Sequence, residues 1–392
     1  MCLPRFESWP LDLGMENNEE KLRLITQNLE ECLTVEDLRF LLDSGIPLKH
    51  YIGFEISGKL HIGSGLMSAM KIRDFQQAGV ECTIFLADWH TWLNDKLSGD
   101  LETIKKVAVS YFKEALFASL LCVGGDPQKI KFVLGSDLYH QNDRYWQTLI
   151  DVSKNLTLAR VVKSSTIMGR KEGENQIFAR LIYPPMQVAD IFVQGVNLCH
   201  AGLDQRKAHV IAREVSSNLK ISPLRYKDRV YKPVALHHHL ILGLGKPPVW
   251  PIKDKTRLRE VWSEMKMSKS NPKTCIFIHD SEEEIKEKIL GAFCPEREVE
   301  FNPVLDWVKH LIFPLKGGIL VQRLEKFGGD KFYDSYESLE KDFVNGDLHP
   351  LDLKNATVLV VQEILLPARK HFATEKGRKM IEELEEILRL RP

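Results

Sequence analysis

Apolar residues recur at two periods along this chain, and the alternation between them outlines a fold. Before His50 the spacing is helical: Thr34-Val35-Glu36-Asp37 forms a capping pattern ahead of Leu38, Leu41 and Leu42, and Gly45 supplies a stop. Residues 1–50 are therefore expected to form an N-terminal helical extension. Tyr51 to Glu55 then reads as strand, Ile56 to Gly65 as a glycine-bearing loop, and Leu66 to Gln77 as helix. Cys82 to Ala87 is a second strand after Gly79, Leu101 to Leu121 is helical, and Lys131 to Gly135 is strand-like again. Strands alternating with helices of this length predict an α/β fold with a doubly wound parallel sheet. From about Asp143 to Arg180 the pattern stays helical and amphipathic, which predicts a helical insertion spanning about 125–180. A second strand–helix run follows, with strand character at Val230 to Leu236 and around Leu240. At Ser281-Glu282-Glu283-Glu284 a capping box opens a series of helices, so the boundary falls near Asp280. The expected units are thus 1–50, 51–280 and an all-helical domain over 281–392.

Composition narrows the class. The 392 residues are 44% hydrophobic and 28% charged, with a formal net charge of zero. That is globular material with no global basic field, so an RNA partner would have to be held by local basic patches. No apolar run is long enough to span a bilayer, and Met1 to Glu7 lacks a charged-then-apolar leader pattern. The seven cysteines are scattered, without a C-x-x-C pair, which predicts reduced thiols and a cytoplasmic location. His237-His238-His239 invites a metal reading. Neighbours on a strand point to opposite faces and cannot share one ion, so no structural metal is expected.

Two short strings carry chemistry. His61-Ile62-Gly63-Ser64 lies between a strand and a helix, where an open α/β sheet takes nucleotides. Gly58, Gly63 and Gly65 allow close backbone approach, the helix start offers N–H groups to phosphate, and His61 can donate to a phosphate oxygen. Far along the chain, Lys266-Met267-Ser268-Lys269-Ser270 presents two cations and two hydroxyls from one loop, and Asn271-Pro272 marks it as a loop of about 264–272 able to close over a ligand. Attack of a carboxylate on the α-phosphate of ATP builds negative charge and expels pyrophosphate, and a lysine pair is suited to stabilising that charge.

Together these strings resemble the paired ATP-handling motifs of class I aminoacyl-tRNA synthetases. Other segments resemble the tyrosyl-tRNA synthetases of archaeal and eukaryotic type. These are Tyr51-Ile52-Gly53-Phe54-Glu55 with Ser57-Gly58, Leu86-Ala87-Asp88-Trp89-His90, Tyr183-Pro184-Pro185-Met186-Gln187-Val188-Ala189-Asp190, and Gly202-Leu203-Asp204-Gln205-Arg206-Lys207-Ala208-His209. The resemblance runs from about Thr34 to the Asp352 region. It implies a Rossmann-like catalytic domain with a helical insertion, followed by a helical anticodon-binding domain. It further implies tyrosine activation by Mg-ATP, transfer of tyrosyl to tRNA(Tyr), and a homodimer joined mainly through the insertion. The sister tryptophanyl enzyme and a catalytically inactive RNA-binding paralogue are the rival readings. Tyr51 paired with Asp190 favours a phenol over an indole, and the intact Lys266, Ser268 and Lys269 favour an active enzyme.

The resemblance assigns roles by residue. His61, Lys266, Ser268 and Lys269 are expected to be catalytic. Gly53, Gly58, His61, Gly63, Ser64 and Met267 are expected at ATP, Ser64 standing where bacterial members have histidine. Tyr51, Glu55, Ala87, Tyr183, Gln187, Asp190 and Gln205 are expected at tyrosine. Tyr183, Gln187 and Asp190 share one helix face by their spacing. Phe327 in Lys326-Phe327-Gly328-Gly329-Asp330 and Asp352 in Leu348 to Asn355 are expected to stack on and pair with the first anticodon base. Arg160, Lys163, Arg170 and Lys171, with Lys253, Lys255, Arg257 and Arg259, are candidate acceptor-stem contacts. Gly243 to Glu264 is longer than the equivalent loop of that family.

Overall fold

The computed structural model describes residues 18–97, 99–169, 177–251 and 258–390, without side chains at 258–260 and 263. Six strands form the main sheet: β1 (Glu31–Leu33), β2 (Lys49–Phe54), β3 (Glu81–Leu86), β4 (Ile130–Leu134), β5 (Leu198–Gly202) and, after the two-residue ribbon strands β6 (Arg225–Tyr226) and β7 (Arg229–Val230), β8 (Val234–His238). Their order is β1-β8-β5-β2-β3-β4, parallel throughout except at β1. β3 is buried from Cys82 to Leu86, as a central strand covered by helices on both faces must be. The doubly wound sheet predicted from periodicity is present.

Three expectations change. Residues 1–50 are not purely helical, because β1 extends the sheet antiparallel to β8 and β2 already begins at Lys49. A three-residue strand carries too little periodicity to be read alone; the pairing is supplied by a distant edge. The Thr34 cap is as predicted, its hydroxyl accepting from the Asp37 amide at 3.1 Å. The insertion does not start at about 125, because β4 belongs to the sheet; helices Asp143–Lys154, Leu158–Ser164 and Phe178–Val193 follow it. The C-terminal region is mainly helical but contains an antiparallel pair, β9 (Ile319–Val321) and β10 (Lys331–Tyr333). Its first helix opens with the predicted capping box, Ser281 with Glu284.

One apolar cluster runs from the sheet into the C-terminal helices, joining Ile84, Ile278, Trp307 and Ile364 among others. The chain boundary near Asp280 is therefore not a break in packing. Polar ties reinforce the junction. The Asp306 carboxylate accepts from the Leu242 amide at 2.8 Å, and the Trp307 indole donates to the Leu242 carbonyl at 2.7 Å. His239 is gripped between Glu30 (2.9 Å) and Asp306 (2.8 Å). Burial opposes its charge, yet the two carboxylates outweigh burial and raise it to about 9. Glu30, His239 and His310 come within 4.8 Å of one another, but both His239 nitrogens are already bonded to carboxylates, an arrangement that suits an imidazolium clamp.

The other histidines behave oppositely. His50, His200 and His238, on neighbouring strands, form a buried chain of imidazoles at 3.1 and 2.8 Å, while His237 bonds His209 across the opposite face. Burial holds His50 down to about 3 and His238 to about 4. The unfolded chain, titrating near the ordinary histidine value, therefore binds more protons over that acidic interval, and stability rises with pH through it. Calorimetric unfolding midpoints are expected to fall steadily as pH drops from about 7 to about 4, and His50→Gln should make that slope shallower by roughly one proton.

Candidate functional site

In this sheet order β2 lies between β5 and β3, and chain direction across the sheet reverses there, which opens a crevice at the strands' carboxyl ends. A cleft of about 300 Å³ occupies that place. Its floor comes from β2 and the turn after it, one wall from the end of β3 and the Phe178–Val193 helix, and the rim from the lysine loop.

Both motifs line it, each held by backbone pairing to another segment of the chain. His61 bridges Phe277, the Ile62 amide donates to the Ile276 carbonyl, and the Ile278 amide donates to the Leu60 carbonyl. Lys266 bridges Leu242 in the same manner. His61 caps the Ile62–Gln77 helix, its Nδ1 accepting from the Ser64 amide at 3.2 Å, which leaves the proton on Nε2, 3.2 Å from the Ser64 hydroxyl. Burial, then Lys269 and Lys266, hold it down to about 3, so it is a neutral donor. Lys266 pairs with Asp204 at 2.8 Å, and the Lys269 ammonium donates to the Ser57 hydroxyl at 2.6 Å. Ser268 is exposed at the rim, whereas Met267 is buried at the cleft's edge as part of the main core.

Gly63 and Ser64 line the cleft, but Gly58 does not. At φ +121° it turns toward the C-terminal helix, where an added Cβ would lie 3.5 Å from Leu388. The same Cβ would lie 3.7 Å from Lys269 Cδ, so Gly58 sits between that helix and the lysine loop. Gly53 lines the cleft and has a second duty: a Cβ there would sit 2.7 Å from the Tyr51 hydroxyl oxygen, so the missing side chain makes room for that phenol.

The deep end is buried and under-bonded. Tyr51, Ala87 and Tyr183 are buried lining residues. Asp190 lies beneath the lining, fully buried, with one oxygen accepting from Tyr139 at 3.0 Å and the other without a partner. Burial raises it well above the usual carboxylate range, and the Tyr139 and Tyr145 hydroxyls oppose that rise. His90 lines the cleft, sits 4.5 Å from the Tyr183 ring, and brings Nε2 within 3.6 Å of the free Asp190 oxygen; neither ring nitrogen has a hydrogen bond. Burial holds it neutral, down to about 3. The Gln187 amide nitrogen donates to Gln205 at 3.4 Å, leaving its oxygen unpaired, and Gln205 donates to the Ile167 carbonyl. Burial raises Glu55, whose carboxylate accepts from Asn94 at 2.9 Å. Sequence reasoning placed no role on Tyr139, Asn94 or His90 as individuals; only His90 belonged to a string already singled out.

Phe327 and Asp352 lie apart from this cleft. Phe327 is 60% exposed in a single 3-10 turn, and Asp352 is in the first turn of the Pro350–Phe372 helix. Arg323 ties the two places together, donating to the carbonyls of Gly329 (3.1 Å) and Asp347 (2.7 Å). Arg160 is paired with Glu214, and the Lys163 carbonyl accepts from Lys207. Arg170, Lys171, Lys253, Lys255 and Arg257 fall outside the described residues, as does the side chain of Arg259.

The chain belongs to the family described as tRNA synthetases class I (W and Y), whose model matches residues 44–366. Among its relatives, a tyrosine–tRNA ligase of Thermococcus kodakarensis is 57% identical over 94% of this chain and 98% of its own length. One from Pyrococcus abyssi is 56% identical over 90% of this chain and 95% of its own. The crystal structure of a tyrosyl-tRNA synthetase from Pyrococcus horikoshii, complexed with L-tyrosine, superposes with a TM-score of 0.91 at 53% identity, covering 94% of this chain and 100% of that one.

The crowding at Gly53 is directly testable. Gly53→Ala should displace the Tyr51 hydroxyl and weaken tyrosine binding about tenfold by titration calorimetry, while lowering the melting temperature. Adding Tyr51→Phe removes the clashing oxygen and should recover the melting temperature without recovering tyrosine affinity.

Proposed function

We propose that this chain activates L-tyrosine with ATP to tyrosyl-adenylate and pyrophosphate, then transfers the tyrosyl group to tRNA(Tyr). The observation that carries the reading is one cleft with under-bonded phenol-seeking groups at its closed end and two lysines with a neutral histidine at its open end.

A tyrosine entering this cleft satisfies the closed end. Its phenol donates to the unpaired Asp190 oxygen and accepts from Tyr51. The unpaired Gln187 oxygen, Tyr183 and Glu55 receive the ammonium group, with Gln205 holding Gln187 in place. Phenylalanine would leave the same buried groups bare, at a cost of about 1–3 kcal/mol for each. Ala87 leaves space for the ring.

The nucleotide enters as its magnesium complex, its phosphates at the start of the Ile62–Gln77 helix beside Gly63 and Ser64. A tyrosine carboxylate oxygen attacks the α-phosphorus, the new P–O bond forms, and the bond to pyrophosphate breaks. His61 donates from Nε2 to a phosphate oxygen. Lys266 and Lys269 exchange Asp204 and Ser57 for the phosphates, and Ser268 contributes a hydroxyl at the rim. In the second step a terminal ribose hydroxyl of the tRNA attacks the tyrosyl carbonyl and AMP leaves.

Phe327 and Asp352 are assigned to the anticodon loop: an exposed ring for stacking and a carboxylate for a base edge. Two copies are proposed to pair through the insertion, where Ile150, Leu158 and Phe178 are 60%, 67% and 79% exposed. No helix among the described residues is long and apolar enough to cross a membrane.

ATP–pyrophosphate exchange with single amino acids and no tRNA tests the first step. Exchange is expected with tyrosine; exchange with tryptophan instead would refute the substrate assignment. Lys266→Ala with Lys269→Ala should reduce exchange by at least about a hundredfold while tRNA binding persists. Asp190→Asn should raise the tyrosine KM about tenfold. Phe327→Ala or Asp352→Ala should weaken charging and leave exchange unchanged; an equal loss in both assays would remove the anticodon role.

A further inference from the structure

The last helix, Glu375–Arg389, lies against the loop that precedes His61, and the activation reading gives that contact no role. Glu385 pairs with Lys59 at 2.5 Å, both side chains being partly buried. The Lys59 ammonium also sits 5.7 Å from the Phe277 ring, on the segment that bridges His61. One residue earlier, Gly58 faces Leu388 of the same helix. One residue later, the Leu60 amide donates to the Tyr111 hydroxyl at 3.0 Å, and that hydroxyl also bonds His279 at 3.1 Å. The Phe372 ring, at the end of the preceding helix, closes on both at 5.7 and 5.5 Å.

The helix is itself anchored. Thr374 caps it through the Gly377 amide at 3.1 Å, and Gly377 packs so tightly on Phe372 that a Cβ would come within 2.6 Å of backbone. A separate pair, Lys106 with Glu383 at 3.2 Å, ties it to the neighbouring helix. Every residue from Gly58 to Leu60 thus has a partner on, or braced by, the C-terminal helices.

We propose that Glu385 is a positioning residue for ATP: acting through Lys59, the C-terminal helix holds the Ser57–Leu60 loop in the shape that receives the nucleotide. The inference rests on the assignment of this cleft to ATP. Gly58 at φ +121° sits in a loop with few internal restraints, and an unrestrained loop must be ordered on binding. The clamp removes that cost in advance. It also turns the Lys59 cation away from the cleft lining, leaving the phosphates to His61, Lys266 and Lys269.

Steady-state exchange with the full-length enzyme reads this as a split between substrates. Glu385→Lys and Lys59→Glu should each raise the KM for ATP about fivefold and leave the KM for tyrosine within twofold. Combining them restores the ion pair with its charges reversed and should bring the ATP KM back to within about twofold of the parent. Glu383→Gln, on the same helix but paired with Lys106, should leave both constants unchanged. A double variant no better than the worse single one, equal rises in both KM values, or an unchanged ATP KM in Glu385→Lys at unaltered melting temperature would overturn the proposal. Absence of exchange in the parent enzyme would instead refute the activation reading on which it rests.

Discussion

Everything functional here depends on where the sheet reverses its order. With β5 on one side of β2 and β3 on the other, the loops leaving these strands diverge to opposite faces and a crevice is unavoidable between them. Tyr51 and Gly53 reach it from β2, Ala87 and His90 from the end of β3, and Asp204 and Gln205 from the turn after β5. The segment around His61 is then sewn to the one that follows the lysine loop by main-chain bonds, Ile62 to Ile276 and Ile278 to Leu60, which do not depend on side-chain identity. Topology places the groups; local chemistry tunes them.

The tuning differs along the cleft. At the closed end burial dominates: it raises Asp190 and Glu55 and holds His90 neutral, leaving polar atoms without partners. At the open end burial again keeps His61 neutral, with Lys269 and Lys266 adding to it, and each lysine already has an oxygen partner. Unpaired polar atoms are thereby concentrated where the cleft is most deeply buried, and positive charge where it opens to solvent.

The alternation of strands and helices, the Thr34 and Ser281 caps and both lysine-bearing strings were legible because their signals are local. Other features depend on contacts between distant segments. β1 exists because β8 offers an edge, the C-terminal β9–β10 pair is too short to show a period, and the approach of Leu388 to Gly58 joins residues from opposite ends of the chain. Tyr139 bonds Asp190 across 51 positions of sequence, and Glu385 meets Lys59 across 326. No spacing rule connects such pairs. The three consecutive histidines illustrate both sides: strand alternation separates His238 from His237 and His239, but only the packed structure reveals that His239 becomes a charged clamp while its neighbours stay neutral.

The unpaired atoms of the closed end bear on durability as well as recognition. The Asp190 oxygen, the Gln187 oxygen and the two His90 nitrogens are buried without partners, and each such atom costs the folded state on the order of 1–3 kcal/mol. Replacing these groups with apolar ones would make a sturdier and less discriminating molecule. The apolar cluster running unbroken into the C-terminal helices offsets that local deficit, and any ligand that completed the missing bonds would add its binding energy to the stability of the fold.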